Sequence, residues 1–239
     1  FLILICSVNS FASSKIRKCL LLPIQDSVQG AIGFKVFENV ERYLKESDWC
    51  YYKYNSEIID ILKNYKENLP MHLANPDVLK VIAEKTDCGS LIKVELLHQP
   101  KGLDVILSVY GENGSDLYYK EKAMLNSDDV VVVSQTVTSW LEKYNKTIPY
   151  SGVVVGVLGD QFTINVGKYG GMTPASSLEV VRPLRKRKHP LLKEVVDWEV
   201  ESIATASAYH IAENQSHAKV VSYFSEKKVQ IDDWVVRKK

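Results

Sequence analysis

The chain reads as an α/β (or α+β) unit followed by an all-β small barrel of the SH3-like kind. Three observations predict that division. Up to about residue 147, short apolar runs alternate with stretches of helical periodicity. From Tyr150 onward the period is two, Gly and Val are abundant, and no helical pattern recurs. Between the two, Asn145-Lys-Thr-Ile-Pro149 breaks both patterns. At 239 residues, one or two domains is the expectation, from roughly 100–200 residues per domain.

In the first unit, Cys19-Leu-Leu-Leu-Pro-Ile24 is a buried strand. Phe34, Phe37, Val40, Tyr43 and Leu44 follow at spacings of three and four, which predicts an amphipathic helix ending near Ser47. Trp49–Tyr54 is aromatic and β-prone. Ser56 caps a second helix, which Leu69-Pro70 stops, and Asn75-Pro76-Asp77 opens a third with Pro76 at its first position. Ser90–Leu97 and Leu103–Tyr110 are strands joined by a turn at Gln99–Gly102. Asn113-Gly114 signals a tight hairpin into a strand over Leu117–Lys122. Ser127-Asp-Asp129 caps a last helix through Val130–Tyr144. The order βαβααβββα predicts mixed parallel and antiparallel pairing, with helices over at least one face. The second unit reads as strands at 152–158, 161–166, 178–182, 194–202, 204–212, 217–224 and 234–237.

The N-terminus bears on compartment. Phe1-Leu-Ile-Leu-Ile-Cys6 is apolar, and Ser10-Phe11-Ala12 has small residues where a signal peptidase reads. Residues 1–12 are therefore read as the remnant of a signal peptide, and export is expected. Ile5 before Cys6 argues against lipidation. Of the later cysteines, Cys19 sits in an apolar run, while Cys50 and Cys88 lie at strand edges and form a candidate disulfide. The competing reading is three buried thiols. The absence of a CxxC or Cys/His cluster argues against zinc.

Thirty basic and 29 acidic residues give a net charge of +1, so no global field favours nucleic acid or an anionic membrane. The one basic cluster is Arg185, Lys186, Arg187 and Lys188. It reads either as a solvated loop or as a docking patch for an anionic partner, such as an acidic protein face, peptidoglycan or lipid headgroups. His72, His98, His189, His210 and His217 show no metal-ligand spacing, and Asp128-Asp129 reads as helix capping. The Gly-rich stretch 152–171 lacks a phosphate-loop lysine and opens no helix. No catalytic motif is present, so a protein without enzymatic activity, cofactor or metal is expected. Asn145 and Asn214 head sequons that matter only in a eukaryotic secretory pathway.

Ile164-Asn165-Val166-Gly167 and Gly171-Met172-Thr173-Pro174 carry a family resemblance. The stretch 152–174 resembles the C-terminal domain of the FlgT family of flagellar assembly proteins, a "φ-x-I-N-φ-G, then G-φ-x-P-G" module. That family has Gly-Asp after the Pro, where this chain has Ala175-Ser176-Ser177. Ile231-Asp232-Asp233-Trp234-Val235 is similar to its closing "I-x-x-G-D-x-V" without the Gly. The first unit, with its opening Leu22-Pro23 and the stretch from Asn75 to Ile92, resembles the TolB/CsgG-type domain found in the middle of FlgT proteins. The resemblances imply domains at 18–147 and 150–239. They imply a structural component of a periplasmic ring of the flagellar basal body near the outer membrane, with basal-body or envelope proteins as partners. The alternative is an envelope binding module of the LpoB or CsgG type, serving peptidoglycan synthesis or secretion. A CsgG-type pore needs long membrane-inserting hairpins. The one candidate, Leu103–Lys122, is short and carries Asp104, Glu112 and Asp116.

Overall fold

The computed structural model describes residues 15–28, 31–54, 56–63 and 68–238. The predicted signal peptide lies outside them. The chain divides into two units: one runs to Pro149 and takes in Lys188–Val195, and the other comprises Tyr150–Arg187 and the residues from Val196 onward.

The first unit contains β1 (Lys18–Leu21), β2 (Gln25–Asp26), α1 (Ala31–Glu46), β3 (Tyr51–Lys53), α2 (Ser56–Leu62), α3 (Leu69–His72), α4 (Pro76–Thr86), β4 (Ser90–Gln99), β5 (Gly102–Gly111), β6 (Leu117–Leu125) and α5 (Val130–Thr147). The strand order is β3-β1-β4-β5-β6, with β2 also beside β4. Pairs β1–β3, β1–β4 and β2–β4 are parallel, while β4–β5 and β5–β6 are antiparallel. The apolar run predicted as a buried strand supplies the inner strand β1, between β3 and β4: Cys19, Leu20, Leu21 and Leu22 are all fully buried. A strand buried on both faces reads as continuous apolar residues rather than as alternation.

Helices cover both faces of the sheet. Leu20, Leu22 and Leu91 pack with Ile58, Leu79, Ile82 and Ala83, which puts α2 and α4 on one side. Successive side chains point to opposite faces of a strand, so Ser90 faces the other side. There the Ser90 hydroxyl lies 2.7 Å from the Tyr144 hydroxyl of α5, and Asn39 of α1 donates to the Ser134 hydroxyl of α5 at 3.2 Å. Asn75 and Asp129 cap α4 and α5 by accepting from the backbone N–H groups of Asp77 and Val131. Leu69-Pro70, expected to stop a helix, instead begins the single turn α3. A proline in the first turn gives up only an N–H that would have no helical partner anyway.

The second unit is a closed barrel of β7 (Gly152–Leu158), β8 (Gln161–Ile164), β9 (Ser177–Lys188), β10 (Val195–Ile211), β11 (Ser216–Tyr223) and β12 (Trp234–Arg237), in the order β10-β11-β8-β7-β12-β9. Val154, Phe162, Ile164, Leu178 and Val180 fill it against Ala204, Ala206, Ala208 and Ala218. Alanines along β10 and β11 suit a barrel too narrow for large side chains from every strand. The strands expected at 194–202 and 204–212 are one 17-residue strand, irregular between Thr205 and Ala206 and between Ala208 and His210. Such bulges bend a strand without ending it, so a long strand follows a tight barrel wall. Trp234 is fully buried, with its ring centroid 4.7 Å from that of Tyr150 and 5.2 Å from that of Trp198. Beside it, Arg182 holds the buried Asp233 carboxylate through two N–H···O bonds of 2.8 and 2.9 Å.

One departure from the FlgT pattern falls on left-handed backbone: Ala175, where the pattern has Gly, has φ +64°. In the closing stretch Asp232 is also left-handed, at φ +71°. L-residues pay about 1–2 kcal/mol in that region, whereas glycine does not. The barrel thus keeps the two turns and accepts the strain.

The candidate Cys50–Cys88 disulfide is not formed; Cys19, Cys50 and Cys88 are buried thiols. Strand β1 runs between β3, which Cys50 precedes, and β4, which Cys88 precedes. Two strand spacings come to about 9.6 Å, beyond the roughly 7 Å a disulfide spans between Cα atoms.

Two predictions follow from local backbone and charge. Ala175→Gly raises stability by about 0.5–1 kcal/mol, read as a higher urea midpoint; a lower midpoint means the left-handed turn is not held. Asp87 follows α4, also at positive φ, with its carboxylate oxygens 2.5 Å from the Lys15 and Lys18 ammonium groups. Those two lysines hold its carboxyl down to about 2, from 3.8. A carboxylate depressed in the folded state stabilises above its unfolded pKa, and that stabilisation is lost as pH falls from about 4 to about 2. Solvent screening keeps it to about 1 kcal/mol or less. Asp87→Asn, which tolerates the backbone, removes that acid-limb dependence, as measured by denaturation between those pH values.

Candidate functional site

The basic cluster predicted as a docking patch lies at the end of β9. Within the barrel, Leu178, Val180, Val181 and Pro183 of β9 are buried; from Leu184 on, β9 is exposed or half-buried. β12 pairs only with Leu178–Val181, so β9 outruns its barrel neighbour. The strand's two faces then differ. On one, the Arg185 guanidinium donates to Glu199 at 2.6 Å, and Arg187 sits 3.8 Å from Asp197 and 3.7 Å from Glu199. Arg185, followed by Arg187, holds the Glu199 carboxyl below its usual range. On the other face, the Lys186 ammonium lies over the Trp198 ring at 5.7 Å from its centroid, among the exposed apolar residues Leu184, Val196 and Val200.

Lys188 belongs to the first unit with the turn that follows it. Its ammonium is 2.6 Å from a carboxylate oxygen of Asp116, which is 2% exposed. Close by, the backbone N–H of Leu117 donates to the Lys193 carbonyl at 3.2 Å, giving the outer edge of β6 a parallel bridge between Leu117 and Glu194. Each of the four cations is therefore already matched within the chain, three by carboxylates and one by an indole. The sequence carries a sign of this: Asp197-x-Glu199-x-Glu201 repeats with the same period of two as Arg185-x-Arg187, as opposing strands with ionic rungs would.

A second candidate is a hollow of about 370 Å³ lined by Pro23, Ile24, Gly33, Phe34 and Phe37. It lies past the carboxyl end of β1, where open α/β sheets commonly bind ligands. Asp26 Oδ2 already accepts the Gly33 N–H at 3.1 Å near the start of α1, and Asp26 Oδ1 accepts from Val28. A carboxylate in that position leaves no place for a phosphate, and the remaining walls are apolar.

Of the other singled-out residues the barrel brings His210 and His217 together, paired across β10 and β11 with ring centroids 5.5 Å apart; the rest are spread apart. His98 is 3.2 Å from Asp26, His189 Nδ1 accepts from the Leu191 and Leu192 N–H groups, and His217 Nδ1 lies 3.1 Å from the Thr163 hydroxyl. Among the described residues no group of three His, Cys, Asp or Glu side chains is placed to hold a metal ion. The aromatic strand is divided between interior and surface: Trp49 is buried, edge-on to Tyr144, while Tyr51 and Tyr54 are exposed. The hairpin weighed as a membrane insertion is built into the sheet as β5 and β6, paired from Leu103 to Leu125. No described helix is long and apolar enough to cross a membrane. Sequence reasoning missed the outer barrel wall of β7, β8, β11 and β10. It turns Leu158 (81% exposed) and Val221 (71%) outward with Val155 and Tyr209.

No protein-family model and no curated protein sequence matches the chain. Solved structures resemble it, among them three from bacteria. The LpoB C-terminal domain from Salmonella enterica is 7% identical with a TM-score of 0.38, covering 47% of this chain and 85% of that one. Lipoprotein GNA1162 from Neisseria meningitidis is 9% identical at 0.36, covering 55% and 99%. TolB from Acinetobacter baumannii is 10% identical at 0.38, covering 91% of this chain and 62% of that chain. Likeness at this level assigns no activity, and none of the three is named as a flagellar protein.

The pairings separate two substitutions. Lys188→Gln takes the ammonium from a buried carboxylate and lowers stability by about 1–2 kcal/mol. Arg185→Gln, at an exposed pair, leaves the unfolding midpoint essentially unchanged. Equal midpoints for the two variants in urea denaturation would show that the Asp116 contact contributes nothing.

Proposed function

We propose that this protein is a non-enzymatic binding component of the bacterial cell envelope, located in the periplasm and acting by docking other envelope proteins. The observation that carries this reading is the barrel wall bearing Leu158, Val221, Val155 and Tyr209. Apolar side chains gathered on an outer wall mark a surface that a partner covers. Leu158 and the Gly159 turn lie next to β11, where the Val220 N–H donates to the Asp160 carbonyl at 2.9 Å, so Leu158 and Val221 sit at the same end of the wall. The predicted export signal and the TolB/CsgG-type resemblance of the first unit support the compartment.

The flagellar reading is the finer alternative, and one observation favours it. The chain keeps left-handed backbone at Ala175, where the FlgT pattern has glycine and this chain does not. Under that reading the barrel is the SH3-like module of a basal-body ring component, and the partners are ring proteins or further copies of the chain.

One experiment addresses both readings. A photo-crosslinking residue at position 158 or 221 is introduced in native cells, and the envelope, the cytosol and purified basal bodies are compared by mass spectrometry. The expected result is recovery from the envelope with a discrete adduct to an envelope protein at both positions and none from position 226, outside the strands of the wall. Enrichment in basal bodies promotes the flagellar assignment. Recovery in the cytosol, or equal labelling at position 226, overturns the binding reading.

A further inference from the structure

Cys50 and Cys88 were the pair expected from sequence; the fold brings Cys50 to a different cysteine. Parallel pairing sets Lys18 opposite Tyr51 and Cys19 opposite Tyr52. By the alternation of side chains, Cys50 then shares a sheet face with Tyr52, and so with Cys19 on the neighbouring strand. The Cys19 thiol donates to the Arg17 carbonyl at 3.5 Å, and Cys50 is its cysteine neighbour on that face. Cys88 packs into the opposite core with Leu20, Ala83 and Leu91. β3 is a three-residue strand at the sheet edge whose one sheet neighbour among the described residues is β1, so its contacts are few enough to open locally. Cys50, just before it, is 8% exposed, against 0% for Cys19.

We infer that Cys19 and Cys50 form a dithiol pair that closes to a disulfide when a disulfide-bearing oxidant reaches it, fastening edge strand β3 to central strand β1. The chemistry is thiol–disulfide exchange in two steps. The Cys50 thiolate attacks one sulfur of the donor disulfide; a mixed disulfide forms and the donor's first thiol leaves. The Cys19 thiolate then attacks the Cys50 sulfur, the Cys19–Cys50 bond forms, and the donor's second thiol leaves. Two electrons pass from the cysteine pair to the donor, and the two thiol protons go to water or to the departing thiolates. Cys50 acts first because it is the more accessible. Burial, followed by the Cys50 contact, raises the Cys19 thiol above its ordinary value, so less of it is thiolate and it acts second, on the Cys50 sulfur of the mixed disulfide beside it. An export signal would deliver the chain to a compartment where such donors persist.

The test uses the full chain, folded, with excess 2,2′-dithiodipyridine as donor, followed by alkylation, trypsin and mass spectrometry. The expected product is peptide 19–35 joined to peptide 46–53, two hydrogens lighter than their sum. The same product forms in Cys88→Ser. In Cys19→Ser the resolving thiol is missing, and Cys50 keeps a pyridylthio group instead. Three results overturn the proposal: peptide 46–53 joined to peptide 86–93, separate pyridylthio groups on Cys19 and Cys50 in the unsubstituted chain, or both thiols still alkylatable after a day in excess donor.

Discussion

The burial of β1 on both faces is the constraint on which the first unit depends. Four consecutive residues, Cys19 to Leu22, have no solvent contact, and two helical layers are needed to achieve that. Leu20 and Leu22 require α2 and α4; the alternate residues require α1 and α5. A central strand with parallel neighbours on both sides also dictates the connections, since parallel strands need crossover helices rather than turns. Chain order β1-α1-β3 on one side of β1, and return through α2–α4 to β4 on the other, follows from that requirement. Around it, polar groups are placed to be satisfied: Ser90 donates to the Ile16 carbonyl and, with its one proton so used, accepts from Tyr144.

The barrel solves a different problem. Closure removes sheet edges, but a six-stranded barrel leaves little interior volume. Alanines fill the β10 and β11 positions, bulges let one long strand bend, and two non-glycine residues accept left-handed backbone to complete the turns. Its charged residues are largely matched internally, as Arg182 with Asp233 and Arg185 with Glu199 show. The outer wall of β7, β8, β11 and β10 also carries exposed apolar side chains, Leu158 and Val221 foremost. That is why the binding reading rests on the barrel wall rather than on the basic run that stands out in the sequence.

Much of the architecture was legible because its signals are local. The helical spacing of Val40 and Leu44, the caps at Asn75 and Asp129, and the Gly159-Asp160 hairpin each depend on a few neighbouring residues. The Pro149 division is of the same kind: a change of period from 3.6 to two. Errors arose where a local signal has two readings. Pro70 breaks a helix from inside but is tolerated in a first turn. Glu194–Ser202 and Ala204–Ala212 looked like two strands, but β10 runs unbroken through Ile203, with bulges at Thr205/Ala206 and Ala208/His210.

The sequence by itself determined the two-part organisation, the buried central strand, most helices and their caps, and the barrel's turns, since propensity, period and turn chemistry act over a few residues. Tertiary structure decided what pairs with what. It gave Arg185 and Arg187 acidic partners on β10, drew Lys188 to a buried Asp116, seated the Leu103–Lys122 hairpin inside a sheet, and exchanged Cys88 for Cys19 as the neighbour of Cys50. Each of these depends on strand order and register. They join residues far apart in the chain through backbone pairing, and a one-residue slip reverses every side chain.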